Sequence, residues 1–280
     1  MTQEGGCSSS DCGKRDRQHI CAVAGPPLTS TKTLARDSAS SSFADELTPL
    51  VHAHAALGRS RLSPARVKRA RANLSAGRVA FDPAELLRGA AELDASLARI
   101  GTAFEMCGLA STRELDSFRK NYLSAQPLLK AWLVGERSSS DPGRRLALRA
   151  VALLGNGVLR SAAAQVSKGI HFSNWHHANC PCCAGAPDMA LKSSSGRELL
   201  CSRCDTRWPA PTNGCLGCEA SRPPAFVRVD AVDLGYELLV CHSCSRYIKE
   251  RSPDGMESPL VERMLTAELD SAAERRGLRI

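Results

Sequence analysis

Over residues 63–170 the apolar positions of the chain follow the spacing of α-helices. The clearest stripe has intervals of three and four residues and consists of Leu86, Ala90, Leu93, Leu97, Ile100 and Phe104. That period places side chains on one face of a helix. Asp82, Pro83 and Glu85 mark its start, because they supply a side-chain cap, a first-turn proline and the second half of a capping box. We therefore predict one helix along this stripe.

The same combination of a capping residue followed by proline recurs three times and predicts further helix starts. The pairs are Ser63-Pro64, Asp141-Pro142 and Ser258-Pro259, the last opening a C-terminal amphipathic helix. Another helical segment covers 113–134, with a kink expected at Pro127. The stretch 142–168 is rich in Ala, Leu and Val, and its Gly155-Asn156-Gly157 interruption predicts either a kink or a tight contact. The middle of the chain is thus expected to be an all-α bundle.

A different pattern begins near residue 180, where strand-like segments lead directly into cysteine pairs. Gly196–Leu200 and Gly235–Val240 both have a Gly-x-Glu-Leu-Leu pattern that runs into a CxxC unit. Nine of the 13 cysteines lie in this region, and eight of them form four CxxC units: Cys180 with Cys183, Cys201 with Cys204, Cys215 with Cys218, and Cys241 with Cys244. Intervals of 17, 10 and 22 residues separate successive units. We interpret the repeat as two tandem modules.

CxxC spacing lets two thiolates of one tight turn face a single cation, and two such turns close a tetrahedral site of four sulfurs. Eight ligands make two sites. Pairing the first unit with the second and the third with the fourth leaves room for a hairpin in each loop, although an interleaved pairing remains open. Tetrahedral sulfur ligation suits Zn²⁺ and a rubredoxin-type iron equally, so the expected cofactor is iron or zinc, with two ions per chain.

The predicted fold class is therefore α plus a small amount of β: a helical bundle followed by two tandem rubredoxin-like or zinc-ribbon metal modules. The expected division is a disordered extension over 1–45, a helical domain over 46–172, the first module over 173–212, the second over 213–252 and a C-terminal helix over 253–280. The remaining cysteines have no assigned role; they are Cys7, Cys12, Cys21, Cys107 and Cys182. Cys182 lies inside the first CxxC unit and could be a reactive thiol, but a tolerated small residue is the simpler interpretation.

The sequence also bears on the compartment and on catalysis. No run of eighteen apolar residues predicts a membrane span, and the first residues have neither the basic nor the apolar segment of a secretory signal. We therefore expect a cytoplasmic chain with reduced thiols. No Ser-His-Asp set, phosphate-binding loop or HExxH motif occurs, so the chain is not expected to be an enzyme, and the absence of a βαβ pattern around any CxxC unit argues against a thiol oxidoreductase.

A formal charge of +8 raises the alternative of a zinc-ribbon nucleic-acid-binding protein. Basic residues concentrate in one segment, namely Arg59, Arg61, Arg66, Lys68, Arg69, Arg71 and Arg78. A solvated helix face explains them more simply. Aromatic residues make up only 4% of the chain, too few for base-stacking platforms.

The order of these motifs resembles the FdhE family, the accessory proteins of formate dehydrogenase. The similarity covers residues from about 60 to 250 and is most specific from Trp175 to Trp208, where Trp-His-His-Ala-Asn-Cys-Pro-Cys-Cys and Gly-Arg-Glu-Leu-Leu-Cys-Ser-Arg-Cys occur, followed by the last two CxxC units. The segment Tyr122–Lys130 is similar to that family's helical-domain motif.

The resemblance implies a cytoplasmic maturation factor, a chaperone that binds the catalytic subunit of respiratory formate dehydrogenase and carries rubredoxin-like sites able to hold iron. It places the eight cysteines of the four CxxC units on the family's own units. One departure stands out: Ala184 follows the first unit where the family usually has glycine, which makes the geometry of that turn a point to examine.

Overall fold

The computed structural model describes residues 43, 45–57, 61–88, 90, 92–137, 139–210, 215–218, 226–231, 235–241, 243–254, 256 and 258–279. The extension expected over 1–45, with Cys7, Cys12 and Cys21, lies almost wholly outside the described residues. The expected architecture of a helical region followed by a small sheet with two four-cysteine clusters is confirmed.

Seven helices with defined bounds are found among the described residues of the first part of the molecule. They are α1 (Thr48–Leu57), α2 (Pro64–Ser75), α3 (Pro83–Arg88), α4 (Leu93–Met106), α5 (Thr112–Asn121), α6 (Ala125–Leu133) and α7 (Pro142–Ser167). The predicted starts are confirmed at α2, where Ser63 Oγ accepts the Arg66 N–H at 3.3 Å, and at α7, where Asp141 Oδ1 accepts the Arg144 N–H at 2.7 Å. Each cap satisfies a backbone donor that the first helical turn leaves open.

The single helix expected from Leu86 to Phe104 is wrong, because two helices share this stripe. Glu92, directly before α4, has a left-handed backbone with φ 55°, which a right-handed helix cannot continue. The segment expected to kink at Pro127 is likewise two helices, α5 and α6. The break falls before Ala125, and Pro127 sits in the first turn of α6, where a missing N–H costs nothing.

Helix α7 is the centre of the bundle, and the other helices pack around it. Its glycines allow close approach: a Cβ on Gly155 would lie 2.3 Å from the ring of Trp132, and one on Gly157 would lie 2.7 Å from Leu57 Cβ. The interruption in its sequence therefore marks tight contacts rather than a kink. By length and composition α7 could cross a membrane, but 83% of its most apolar window is buried inside the protein, as in a core helix.

In the second part of the molecule the described residues form one six-stranded sheet. Its strands are β1 (Pro187–Ser193), β2 (Gly196–Cys201), β3 (Arg207–Pro209), β4 (Phe226–Ala231), β5 (Tyr236–Cys241) and β6 (Tyr247–Arg251), in the order β3-β2-β1-β6-β5-β4. Neighbours are antiparallel except β1 and β6, which are parallel through Met189 with Lys249 and Ala190 with Glu250. The two modules are thus joined edge to edge in one sheet, an arrangement that the tandem repeat did not predict.

The C-terminal segment forms two helices where one was expected, α8 (Pro259–Leu265) and α9 (Ala267–Arg275). Its start agrees with the prediction, since Ser258 Oγ accepts the Val261 N–H at 3.3 Å. Thr266 between them is fully buried, and its hydroxyl accepts the Lys249 ammonium from β6 at 2.9 Å. The pair of helices covers the sheet where the modules meet.

Candidate metal centres

The four CxxC units form two compact sulfur clusters. The first cluster contains Cys180, Cys183, Cys201 and Cys204, the second contains Cys215, Cys218, Cys241 and Cys244, and within each cluster all sulfurs lie within 4.8 Å of one another. The first unit therefore pairs with the second and the third with the fourth. The interleaved alternative is excluded by this geometry.

The sulfur separations match tetrahedral ligation of one ion. In the first cluster Sγ–Sγ distances are 3.5 Å for Cys180–Cys204 and 3.4 Å for Cys183–Cys204. In the second they are 3.6 Å for Cys215–Cys244 and 3.7 Å for Cys218–Cys241. Four sulfurs at about 2.3 Å from a central zinc would be roughly 3.8 Å apart, so both donor sets fit a single Zn²⁺ or a rubredoxin-type iron.

Three of the CxxC turns share one backbone pattern. The residue after the second cysteine donates its N–H to the carbonyl of the first cysteine, at 3.0 Å from Ala184, 3.2 Å from Asp205 and 2.9 Å from Ser245. Backbone N–H groups also donate to the sulfurs, as from Cys182 to Cys180 Sγ at 3.4 Å and from Arg203 to Cys201 Sγ at 3.3 Å. Such donors stabilise thiolate charge.

The left-handed backbone explains why glycine is common after a CxxC turn. Ala184 has φ 55°, Asp205 φ 55° and Ser245 φ 56°, a conformation that costs a side-chain-bearing residue about 1–2 kcal/mol. Ala184 adopts it without changing the turn, since Cys180 N–H still donates to the Gly185 carbonyl at 2.9 Å. The departure from the family pattern therefore adds backbone strain and leaves the sulfur geometry intact.

The first cluster is embedded in the protein. Cys180, Cys183 and Cys201 are fully buried and Cys204 is 2% exposed. The loop before α3 pairs with the first turn, because Ala80 N–H donates to the Pro181 carbonyl at 2.9 Å and Phe81 N–H to the Cys182 carbonyl at 3.1 Å. These cysteines belong to the main hydrophobic core of the helical bundle.

A buried polar chain ties this cluster to the bundle. Asn156 Nδ2 donates a hydrogen bond to Asp205 Oδ1 at 3.0 Å. This contact orients the amide so that Asn156 Oδ1 accepts a hydrogen bond from His54 Nε2 at 2.7 Å. Burial, followed by the charge of Arg160, lowers the pKa of His54 and keeps the imidazole neutral. A residue on α1 is thereby linked, through the centre of α7, to the residue that follows Cys204.

Arg263 on α8 is the last member of this series of buried polar contacts. Its guanidinium pairs with Asp188 at 2.6 Å and Asp205 at 2.7 Å, and its Nη2 donates to the Cys201 carbonyl at 2.9 Å. Burial alone would raise the pKa of Asp188, but the adjacent Arg263 lowers it overall. Asp188 is therefore ionised, and both Asp188 and Asp205 are paired with Arg263 inside the protein.

The second cluster lies in a more open setting. Cys241 is fully buried and Cys215 is 5% exposed, but Cys244 is half-buried and Cys218 is exposed. Among the described residues, Arg279 supports it from outside the sheet, where its Nε donates to the Cys244 carbonyl at 3.2 Å. The same ligand set thus has different access to solvent at the two sites.

Each cluster favours ionisation of one thiol. Burial by itself raises the pKa of Cys180, but hydrogen bonds with Cys182, Cys183 and Cys204 lower it to about 5. Burial also opposes ionisation of Cys241, yet the Cys244 backbone and the Cys215 thiol lower its pKa to about 7. Metal ligation needs thiolates, and both clusters provide a starting one.

The remaining candidate groups lie outside both donor sets. Cys182 is fully buried in the first turn, and its hydrogen bond to Cys180 together with burial raises the pKa of its thiol, which argues against a reactive cysteine. His176 and His177 are exposed and belong to neither cluster. Cys107 is half-buried at the end of α4, where burial raises its pKa.

Comparisons with known proteins bear on the fold. No family model matches the chain, and no curated protein matches it. Among solved structures, the crystal structure of the FdhE protein from Pseudomonas aeruginosa matches with a TM-score of 0.56 and 20% identity, over 83% of this chain and 84% of that one. This chain has the fold of an FdhE protein. The fold implied by the motif resemblance is therefore confirmed, on an alignment that includes both the helices and the sheet.

Within this FdhE fold, sequence reasoning missed the residues that hold the first cluster in place. Asn156, Asp205 and Arg263 were not predicted to act together. Two signals were available in the sequence. Asn156 is a polar residue between two glycines in an otherwise apolar helix, and Asp205 directly follows a CxxC unit, a position that favours residues able to adopt a left-handed backbone conformation. Arg263 gave no such signal, because its partners are 58 and 75 residues away in the chain.

Proposed function

We propose that this chain is an accessory protein for the maturation of respiratory formate dehydrogenase. It acts in the cytoplasm as a chaperone that binds the catalytic subunit, and it carries two four-cysteine metal sites. The observation that supports this most strongly is the FdhE fold, which is matched over 83% of the chain. The eight cysteines of the four CxxC units, which carry the motif resemblance, also lie in two groups of four.

The metal ligands in this proposal are the eight cysteines of the two clusters. When bound, zinc would hold the turns together, and iron would add a one-electron couple. The chain's own contribution is to preorganise the thiolates: the backbone N–H groups of Cys182 and Arg203 already point at the first-cluster sulfurs. At the second cluster, Gly217 N–H donates to Cys215 Sγ at 3.3 Å.

The surroundings of the first cluster support binding rather than catalysis. Asp188 and Asp205 are occupied by Arg263, and His54 is buried and turned toward Asn156. These groups are paired with one another and fix the position of the sulfur turns. We therefore propose a role as a binding and assembly factor without an enzymatic reaction of its own.

Deletion of the gene tests the function directly. We expect the strain to lose formate-dependent respiratory activity while the catalytic subunit remains detectable by immunoblot. A plasmid copy of the wild type, or of a Cys107→Ser variant whose cysteine lies outside both clusters, should restore activity. Normal activity in the deletion strain would refute the proposal.

Anaerobic purification tests the metal sites. We expect two metal ions per chain by elemental analysis. A ferric-thiolate absorption that bleaches on reduction identifies iron, and two colourless zinc ions per chain exclude an electron-transfer role. Fewer than one ion per chain in freshly purified protein would contradict the ligand assignment.

One feature favours a second candidate, binding of nucleic acid. Within α2 the cationic residues Arg66, Lys68 and Arg69 are exposed, and Ala70 is the one buried residue of the helix. Phosphate contacts by such a face would give binding that weakens steeply with salt. Titration of labelled RNA and DNA at 50 and 200 mM salt distinguishes this function, and absence of binding at the lower salt eliminates it.

A further inference from the structure

A groove lies between the end of the helical bundle and the first cluster, and Cys204 is the one cysteine of the clusters that lines it. It has a volume of about 540 Å³, within the range of roughly 300–1,000 Å³ that is common for ligand sites. One wall is the last part of α7 with the segment that follows it, and the other is the β2–β3 hairpin with Cys204 and Thr206. We call it the Cys204 groove.

The chain builds these walls from rigid parts. Gly169, with φ 76°, follows the end of α7, and the Ile170 N–H donates to the Ser167 carbonyl at 2.8 Å, so that the next residues turn along the groove. On the opposite wall Trp208 is 1% exposed and its indole donates to the His177 carbonyl at 3.2 Å. A groove with fixed walls loses little entropy when it is filled.

The groove is lined by an excess of positive charge. Arg160 and Arg207 line it and form no ion pair within the described part of the chain, whereas its one exposed acid is Glu198. The other acid in the wall, Asp205, is neutralised by Arg263.

Apolar surface accompanies these charges. Ile170 and Phe172 are half-buried, and they line the groove together with the alanines of α7. A surface with both arginines and half-buried apolar side chains suits a polypeptide better than a free anion, because a peptide brings acidic and apolar side chains on one strand.

We propose that the Cys204 groove binds an extended segment of the partner polypeptide in which an acidic side chain pairs with Arg160 or Arg207 and an apolar side chain packs against Ile170 and Phe172. This inference rests on the proposed function, because the partner is the catalytic subunit of formate dehydrogenase. The occupant would contact both the bundle and the Cys201–Cys204 turn of the first cluster. Binding should therefore require metal at the first cluster and not at the second.

Binding of the purified catalytic subunit to the full chain tests the proposal. Arg160→Glu and Arg207→Glu should each weaken binding at least tenfold, and Arg113→Glu, an exposed arginine on α5, should bind like the wild type. Circular dichroism and two metal ions per chain establish that each variant is folded. If both groove variants bind like the wild type, the groove is not the docking site, although the proposed function stands.

Photo-crosslinking identifies the occupant. With a photoreactive amino acid in place of Ile170, we expect a cross-linked peptide of the catalytic subunit that contains Asp or Glu. A cross-link to the chain itself, or to copurified nucleic acid, would overturn the proposal. If the wild type does not bind the catalytic subunit at all, the proposed function fails and the assignment of the groove fails with it.

Discussion

The two sulfur clusters each consist of four cysteines and, in the described turns, have the same backbone, but the protein surrounds them differently. The first cluster is part of the bundle's main core, and its cysteines are at most 2% exposed. The second stands beside a small separate core made by β5, β6 and α9, with Cys218 exposed. An identical motif therefore produces a sealed site in one module and an accessible site in the other.

The difference shows that exposure of a metal site is set by what packs on it, not by its ligands. Arg203 from the first cluster reaches the bundle, where its Nη2 donates to the Leu133 carbonyl at 2.9 Å. At the second cluster the comparable outside contact comes from Arg279 near the chain end. We infer that a metal ion bound at the first cluster would contribute to global stability, and that one bound at the second could exchange with the global fold intact.

The largest expected effect comes from removing one ligand from each cluster. Cys183→Ser should lower the free energy of unfolding by about 3–5 kcal/mol, because loss of a core metal leaves buried thiols and a polar hydroxyl inside the bundle. Cys218→Ser should change the main transition by less than about 1 kcal/mol. Thermal and urea unfolding followed by circular dichroism measure both.

Release of metal to a colorimetric chelator gives a second view of this comparison. The wild type should show a fast and a slow phase of equal amplitude. Cys218→Ser should lack the fast phase, and Cys183→Ser the slow one. Equal destabilisation by the two substitutions, or a single release phase in the wild type, would show that the clusters are equivalent.

The next effect concerns two arginines that each donate to a carbonyl of a sulfur turn. Arg263→Ala leaves Asp188 and Asp205 buried without their cation and should cost about 3–4 kcal/mol. Arg279→Ala, at the exposed second cluster, should cost less than about 1 kcal/mol. Urea unfolding at pH 7 measures the loss of unfolding free energy in each variant. Similar losses would contradict the difference inferred between the two clusters.

The Arg263→Ala cost should also depend on pH. Arg263 lowers the pKa of Asp188 in the folded protein, so the pair stabilises the fold above the unfolded value of about 4, and this stabilisation is lost as pH falls through the lower folded pKa. The difference between wild type and Arg263→Ala should be largest at pH 7 and shrink below about pH 4. A difference that grows on acidification would refute the assigned role.

A smaller effect is expected from the buried amide on α7. Asn156→Ala leaves His54 without its acceptor and Asp205 without one donor, and should cost about 1–3 kcal/mol. It should speed release of the slow metal and leave the fast phase unchanged. If both phases accelerate, the hydrogen bonds that link His54 on α1 to Asp205 through Asn156 do not stabilise the first cluster selectively.

The smallest effect tests whether the turns themselves differ. Ala184→Gly and Ser245→Gly relieve a left-handed backbone, and the relief is partly offset by the greater entropy of glycine in the unfolded chain. Each should raise stability by a few tenths to about 1 kcal/mol, by the same amount in both modules. If urea unfolding shows unequal gains in unfolding free energy, part of the difference between the two clusters lies in their backbone turns.

Local features of the fold were predictable from the sequence because neighbouring residues cause them. Ser63 and Asp141 cap helices that begin at the next proline, and the strands that lead into Cys201 and Cys241 follow from their apolar pattern. The break at Glu92 was not predictable in this way, since the apolar spacing continues across it. A side-chain period indicates which face is buried and not whether the helix is continuous.

For the candidate sites, the sequence by itself determined the eight candidate ligands, because CxxC spacing fixes two sulfurs on one turn. Tertiary structure decided which turns meet, how the two modules join through β1 and β6, and that Asn156 and Arg263 converge on Asp205. These contacts join residues 49 to 75 positions apart, and they depend on how whole elements pack. The depth of each cluster follows from the same packing, which no local pattern encodes.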